Sequence, residues 1–475
     1  MNTCLSIWRA KPYLNGIISR SGPAAAKGQV CEKMKKVLVL GAGLVARPMV
    51  VYLLDNGFQV TVASRTVSKA KALIGKHKNG KAVALDAENK ADLPKMDKLV
   101  KEHDLSVSLL PYIHHPLVAE MCLKHGKHLV TTSYVSDKMK AFDGAAKKAK
   151  LVFLNEAGLD PGIDHMSAMR IIHDVEKRGG KVTSFRSTTG ALQAFEANNN
   201  PFGYKFSWAP RGVLLASKNP SKWLENGKIR EYPGEQLFEN YKIENVPGVG
   251  AFENYPNRNS VPYKDIYGLK DAKTVYRGTF RMPGWCETMR NVVALGLLED
   301  KAPKGFKGKT YADLTSALVK AKPKEDIALA TAKFLGLKPY ATVIKRLEWL
   351  GLFSDKPLPK DKDNPLDWMN VLTLEKMELG KKDRDMIVMH HEFIAEFKNK
   401  KELITSTLLD FGEIGKDTSI ARTVSLPAAI AVRMILEGKI KQPGVSIPVS
   451  PGIYNPILDE LSEIGINFKE VKTKL

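Results

Sequence analysis

Four cysteines are scattered over 475 residues, at Cys4, Cys31, Cys122 and Cys286, with no CxxC pair. That excludes a zinc ribbon and a disulfide framework and suits a reducing compartment. No stretch approaches the roughly 18 consecutive apolar residues of a membrane span, so no membrane partner is expected. Basic residues outnumber acidic ones 73 to 51, a net charge of +22. Even so, there is no arginine-rich arm, and aromatic residues are not interleaved with basic runs as a base-stacking platform needs. The lysines run along the whole chain, as in "KHKNGK" at 76–81. The expectation is a solvated basic surface that draws in an anionic small molecule, with no nucleic-acid partner. Acid is also missing from the N-terminus, where none precedes Glu32. Residues 1–33 therefore read as an extension that fits a mitochondrial transit peptide. The alternative is a plain extension ahead of "MKKVLVLGAG" in a cytoplasmic protein.

What is present points to an α/β protein of more than one domain, because the chain is too long for one ordinary core. Apolar runs at 36–40, 59–63, 81–85, 105–110, 128–132 and 151–154 alternate with segments of helical period. That alternation predicts a Rossmann-type, doubly wound parallel sheet. After about residue 180 the strands lengthen ("KVTSFRSTTG", "KTVYRGTFRM"). Residues 309–352 are helical in period, and 385–397 with 401–411 read as a hairpin. The expected organisation is a nucleotide domain over 34–156 completed by 418–475, and an α+β substrate and dimerisation domain over 157–300 and 383–417. A small helical domain is expected over 301–382.

The first strand runs into "GAGLVA", which places Gly41 and Gly43 where a backbone must turn tightly and approach a pyrophosphate. The second strand ends in Ser64-Arg65-Thr66, with no acid to accept ribose hydroxyls. Two hydroxyls and a guanidinium suit a 2′-phosphate, so NADP is expected over NAD. Asp86, just after the third strand, is placed to meet the adenine. The stretch "NEAGLDPGIDH" (155–165) leaves the carboxyl end of the last strand. There Asp160 is the chemical residue, Asp164 a helix cap, His165 a helix-start packing residue, and Glu156 a support or hinge. The adjacent pairs His114-His115 and His390-His391 cannot face one metal from a regular element, so no metal is expected.

In order along the chain stand "GAGLVARP", "SLLPYIHHPLVAEMCLKHGKHLVTTSYVS", "NEAGLDPGIDHM", "NPFGYKFSWAPRGVL", "YPNRNSVPY", "RGTFRMPGW" and "ARTVSLPAAIAVRMILEGKI". Together they resemble the glutamate-forming saccharopine dehydrogenases, also called saccharopine reductases, from Met34 to about residue 470. The resemblance implies an oxidoreductase that interconverts saccharopine with L-glutamate and 2-aminoadipate 6-semialdehyde in lysine metabolism, and a homodimer. It assigns Gly43, Leu44 and Val45 to the pyrophosphate, and Ser64, Arg65 and Thr66 to the 2′-phosphate. Thr132, Ser133, Leu159, Asp160, Pro161 and Ser207 are assigned to the rest of the cofactor. Substrate is assigned to Ser133, Tyr134, Asp160, Arg258, Thr279, Phe280 and Arg281, with Asp160 and Tyr134 as the groups that handle protons.

One stretch departs from the family. Where relatives have a Ser-Tyr-Cys-Gly-Gly-Leu-Pro pattern, this chain reads "STTGALQAF" at 187–195, so Thr189 takes the cysteine's place and Gln193 the proline's. Threonine is a far poorer base than a thiolate. The alternatives are another imine-reducing dehydrogenase of the superfamily, of the carboxynorspermidine type, and a non-catalytic NADP-binding sensor.

Overall fold

A computed structural model describes residues 34–301, 305–306 and 308–475; the N-terminal extension and its targeting assignment lie outside the described residues. The six apolar runs of the first part become β1 (Lys36–Leu40), β2 (Gln59–Ser64), β3 (Gly80–Ala84), β4 (Leu105–Ser108), β5 (His128–Thr131) and β6 (Val152–Leu154). Helices of apolar period link them and stop on local signals. Gly126, at φ +65°, closes His115–His125 in the left-handed conformation that glycine adopts without strain.

After helix Ile163–Lys177 come β7 (Lys181–Gln193), β8 (Ser221–Glu225), β9 (Lys228–Tyr232), β10 (Lys242–Val246), β11 (Gly250–Pro256) and β12 (Thr274–Arg281). Short helices between Tyr311 and Met377 follow, and then the hairpin of β13 (Asp385–Phe397) and β14 (Lys400–Phe411). The chain ends with helix Ser419–Leu436, β15 (Gly444–Ser446), helix Pro451–Glu463 and β16 (Phe468–Lys474).

The first sheet is parallel, in the order β15-β6-β5-β4-β1-β2-β3. The order reverses between β1 and β4, where open α/β sheets form their ligand crevice at the strand carboxyl ends. The second sheet is mixed, in the order β10-β11-β12-β7-β13-β14-β16, with β8 and β9 attached beside β12. This corrects the expected placement of 418–475. β15 joins the nucleotide sheet, but β16 pairs with β14 from Glu402↔Lys474 to Leu408↔Phe468 in the second sheet. The charged, exposed run "FKEVKTK" is what a sheet edge carries to discourage further pairing.

Helix Ser419–Leu436 packs against helix Arg47–Asp55 and β13 and so ties the two sheets together. It is long and apolar enough to cross a membrane, yet 78% of it is buried inside the protein. Asp385 of β13 holds its N-terminus, accepting from the Ser419 amide at 2.6 Å and the Ile420 amide at 2.9 Å.

Strand alternation sets what the second sheet shows to the first. Arg277, Thr279 and Arg281 of β12 share a face with their parallel neighbours Ser187 and Thr189 of β7. That face is turned toward helix Ile163–Lys177, whose Ser167 hydroxyl meets His391 Nε2 of β13 at 2.7 Å.

Candidate functional site

The nucleotide crevice is built by the turn after β1 and the ends of β2, β3 and β4. Gly41 has φ +113°, and a Cβ there would meet the Leu109 carbonyl oxygen at 3.0 Å, so only glycine fits without strain. A Cβ on Gly43 would enter open space, on the side where a pyrophosphate approaches the start of helix Arg47–Asp55. Ser64, Arg65, Thr66 and Asp86 line the same crevice, as expected for an NADP site. The Thr66 hydroxyl makes no capping bond at helix Val67–Ile74 and remains available to a ligand.

Among the ionisable residues of this crevice, sequence reasoning missed Lys69, Glu88 and His114. Lys69 adds a second cation beside Arg65, and its position three residues after Thr66, in the first turn of a helix, was the available signal. Glu88 is an acid that reaches the crevice from beyond β3, 3.5 Å from Arg65 and 3.6 Å from His114. Asp86 is partly engaged already, with its carboxylate accepting the Glu88 amide at 3.0 Å.

The second part of the site is a buried ionic ring. Tyr134 Oη donates to Asp160 at 2.8 Å. Arg277 donates to Asp160, to Asp164 at 2.6 Å and to Tyr134 Oη at 3.1 Å. The guanidinium also stacks on the Tyr263 ring, 4.5 Å from its centroid. Arg277 was not among the sequence candidates. Nothing in "TVYRGTFRM" reveals that two aspartates more than 110 residues away converge on it.

The ring revises two expectations. Asp160 is not a solitary base, because it shares Arg277 with Asp164 and accepts a hydrogen bond from Tyr134 Oη. Asp164 is not a simple helix cap, since one oxygen accepts the Gly162 amide at 2.6 Å and the other holds Arg277. The two carboxyls are pushed apart. Burial, with the Asp164 charge beside it, raises Asp160 above the usual carboxylate range against the pull of Arg277. Asp164 is held below that range: burial opposes, but His165, Arg277 and the Gly162 amide together win. Burial also drives the Tyr134 phenol well above its ordinary value, so it stays protonated and donates.

His165 is fully buried, with Nδ1 against Tyr267 Oη and Nε2 at 2.7 Å from Glu156. Glu156, at φ +55°, also accepts the Val135 amide at 2.9 Å. On the other side of the same loop, Ser133 Oγ meets His115 Nε2 at 2.9 Å, and His115 Nδ1 meets Ser108 Oγ at 2.8 Å. Burial lowers His115 to about 4, so the imidazole is neutral near pH 7.

Arg281 is different in kind. It is 4% exposed, and its guanidinium lies over the rings of Tyr204 (5.1 Å), Trp285 (5.5 Å) and Tyr255 (6.0 Å). Its Nη1 donates to the Phe280 carbonyl at 2.9 Å, while its Nε has no hydrogen-bond partner among the described residues. Glu253 stands opposite it in register but is committed to the amides of Gly284 (2.6 Å) and Cys286 (2.7 Å). The hydroxyls of Thr189 and Ser207 are likewise buried without a partner. Thr189 lies beside Thr279, and Thr279 beside Tyr255, in one row across three strands.

The remaining candidates divide. Arg258 is exposed, at φ +54°, with its guanidinium 5.5 Å from the Tyr134 ring, so it adjoins the ring. Thr132 touches the Gly158 turn, and Leu159 and Pro161 are buried in the loop that presents Asp160. Leu44 is exposed beside the β1 turn and Val45 partly so. Ser207 is not among the residues that line the nucleotide crevice and belongs with Tyr204 in the second domain. Phe280 is a correction: its side chain is fully buried on the opposite face of β12, 5.3 Å from Phe252, because the strand period turns it away from Thr279 and Arg281. Among the described residues no group of three or more His, Cys, Asp or Glu is arranged to hold a metal. His390 meets Thr407 at 2.8 Å, while His391 points to the opposite face of β13.

Comparison with known proteins matches two successive stretches of the chain. Residues 37–154 match the family model for the saccharopine dehydrogenase NADP binding domain, and 158–466 that for the saccharopine dehydrogenase C-terminal domain. The chain is 40% identical over 450 residues to saccharopine dehydrogenase [NADP(+), L-glutamate-forming] of Schizosaccharomyces pombe, spanning 92% of this chain and 99% of that one. It is 36% identical to the mitochondrial alpha-aminoadipic semialdehyde synthase of Bos taurus over 92% of this chain and 48% of that one. The apo saccharopine dehydrogenase (L-Glu forming) structure from Saccharomyces cerevisiae superposes with a TM-score of 0.84 at 38% identity, covering 92% of this chain and all of that one. The chain belongs to the saccharopine dehydrogenase family.

Proposed function

We infer that this chain interconverts saccharopine with L-glutamate and 2-aminoadipate 6-semialdehyde, with NADP as the hydride partner. The observation that carries the reading is Arg281: a buried guanidinium with no acid bonded to it, on the same face of β12 as Arg277. A buried cation left unpaired is costly. A substrate that brings carboxylates repays that cost on binding, and saccharopine brings three. Arg258, beside Tyr134, is suited to a second carboxylate.

When bound, NADP supplies the acceptor or donor of hydride. Oxidation removes a hydride from the carbon next to the secondary amine and a proton from its nitrogen, leaving an imine. Water adds to that carbon, and the C–N bond breaks to release the glutamate amine and the aldehyde. The chain's part is to orient the amine and move its proton. Asp160, its carboxyl raised above the usual range by burial, exchanges the proton, and Tyr134 holds the carboxyl in place and donates. Ser133 is fixed by neutral His115 immediately before Tyr134. Arg65, Lys69, Ser64 and Thr66 receive the 2′-phosphate.

The test is to mix purified protein with saccharopine and NADP⁺, following the reduced-nicotinamide absorbance band and free glutamate together. Both rise if the reading is right. No turnover, or turnover only with polyamine-derived amines, overturns it. Arg65→Asp shifts preference toward NAD by tenfold or more on the scale of one lost charged contact (about 1.5–3 kcal/mol); unchanged NADP affinity removes Arg65 from the site. The resemblance also supports a homodimer, checked by sedimentation. The absence of acid before Glu32 supports a mitochondrial destination, checked by fusing residues 1–33 to a reporter.

A further inference from the structure

We propose that Glu156 and His165 form a brace that positions Tyr134, and through it the Tyr134–Asp160 couple, for substrate. The inference rests on Tyr134 being a group that meets substrate. Three bonds carry it. The Glu156 amide donates to the Ser133 carbonyl at 3.2 Å, and the Glu156 carboxylate accepts the Val135 amide at 2.9 Å. One residue therefore grips the chain immediately before and immediately after Tyr134. The other carboxylate oxygen is held by His165 Nε2 at 2.7 Å, and Nδ1 of that ring is fixed by Tyr267.

The brace also closes the ring from behind. Asp164 lies 3.7 Å from His165 and pairs with Arg277, which pairs with Asp160, which accepts from Tyr134. The path thus runs from the Tyr134 side chain through Asp160, Arg277, Asp164, His165 and Glu156 and back to the backbone on either side of Tyr134. A side chain inside such a circuit is fixed from both ends. Glu156 keeps a left-handed backbone that non-glycine residues rarely adopt, which sets its amide and carboxylate on either side of the loop. None of the bonds that define this brace involves a residue lining the nucleotide crevice.

The experiment is a double-mutant cycle with Tyr134→Phe and Glu156→Ala, reading saccharopine KM, kcat and NADPH Kd for each protein. Glu156→Ala is expected to raise saccharopine KM about tenfold and lower kcat by a similar factor, on the scale of a sub-ångström misplacement of a reacting group. NADPH Kd stays within about twofold. In the Tyr134→Phe background the same change adds less than about threefold, because the group it positions has gone. Glu156→Gln restores KM and kcat to within about threefold, since its amide still accepts from Val135 and reaches His165. Equal losses in both backgrounds overturn the proposal, as does a NADPH Kd that worsens in step with KM. If Glu156→Ala does not fold, His165→Asn takes its place in the cycle with the same expectation and the same contrary result. Failure of the functional reading shows separately, as a Tyr134→Phe protein whose saccharopine kinetics match the parent.

Discussion

Arg277 and Arg281 stand four residues apart on one strand and share its face, roughly 13 Å apart at the usual strand rise. Both are almost wholly buried, at 3% and 4% exposure. Their surroundings are opposite. Arg277 is bonded to two aspartates and a tyrosine, whereas Arg281 has three aromatic rings and no acid, its register partner Glu253 being bound to backbone amides. A cation neutralised from within is part of the scaffold, and one left for an outside anion is part of the binding site. Burial alone does not separate the two; the count of acids around each does.

Replacing each cation tests that division. Arg277→Met leaves Asp160 and Asp164 buried without their counter-charge and is expected to cost roughly 3–5 kcal/mol. For a chain of this size that is a fall of about 3–5 °C in Tm, read by calorimetry, with turnover abolished. A Tm within one degree of the parent would falsify the scaffold assignment.

Acid acts on the Arg277 end next. Burial holds His391 down to about 3 and His115 to about 4. Above the usual histidine range both are neutral whether folded or unfolded, and stability is unaffected. As pH falls through about 6.5, the unfolded chain binds protons that the folded chain refuses. Stability then drops by up to about 1.4 kcal/mol per pH unit for each histidine until the folded value is reached. Asp160 runs the other way: its raised carboxyl favours the folded state at low pH, a contribution lost as pH rises through the folded value. Thermal melts from pH 7 to 4.5 should show the net fall, and His391→Phe should flatten it; an unchanged slope removes His391 as a cause.

The smallest effect is expected at Thr189, the position where relatives carry cysteine. Its hydroxyl is buried and unpaired beside Thr279. Thr189→Val should leave Tm equal or slightly higher, because it removes an unsatisfied polar atom. Saccharopine KM should change by less than about threefold. A large loss of kcat would give Thr189 a direct part in proton transfer.

Much of this was legible in the chain. The alternation of short apolar runs with helical segments places six of the seven strands of the first sheet, and the glycine turn with Ser64-Arg65-Thr66 marks the nucleotide crevice, because these are local patterns of backbone and charge. The hairpin of β13 and β14 was readable for the same reason. What escaped depends on distant partners. Arg277 looks like Arg281 in "TVYRGTFR" until the loop at 160–164 is folded against it. Asp164 reads as a cap because capping is what an aspartate at a helix start usually does. The place of β16 in the second sheet follows from its pairing with β14, between Phe468 and Leu408 at one end and Lys474 and Glu402 at the other, which no local pattern encodes.

The most direct measurement is saccharopine KM for Arg281→Met at saturating NADP⁺, with Tm taken on the same sample. Loss of a charged contact to a substrate carboxylate, about 1.5–3 kcal/mol, corresponds to a KM raised roughly 10- to 100-fold. Tm should stay at or above that of the parent, because a buried cation without an internal partner has been replaced by an apolar side chain. An unchanged KM, or a Tm that falls as far as for Arg277→Met, would contradict the account.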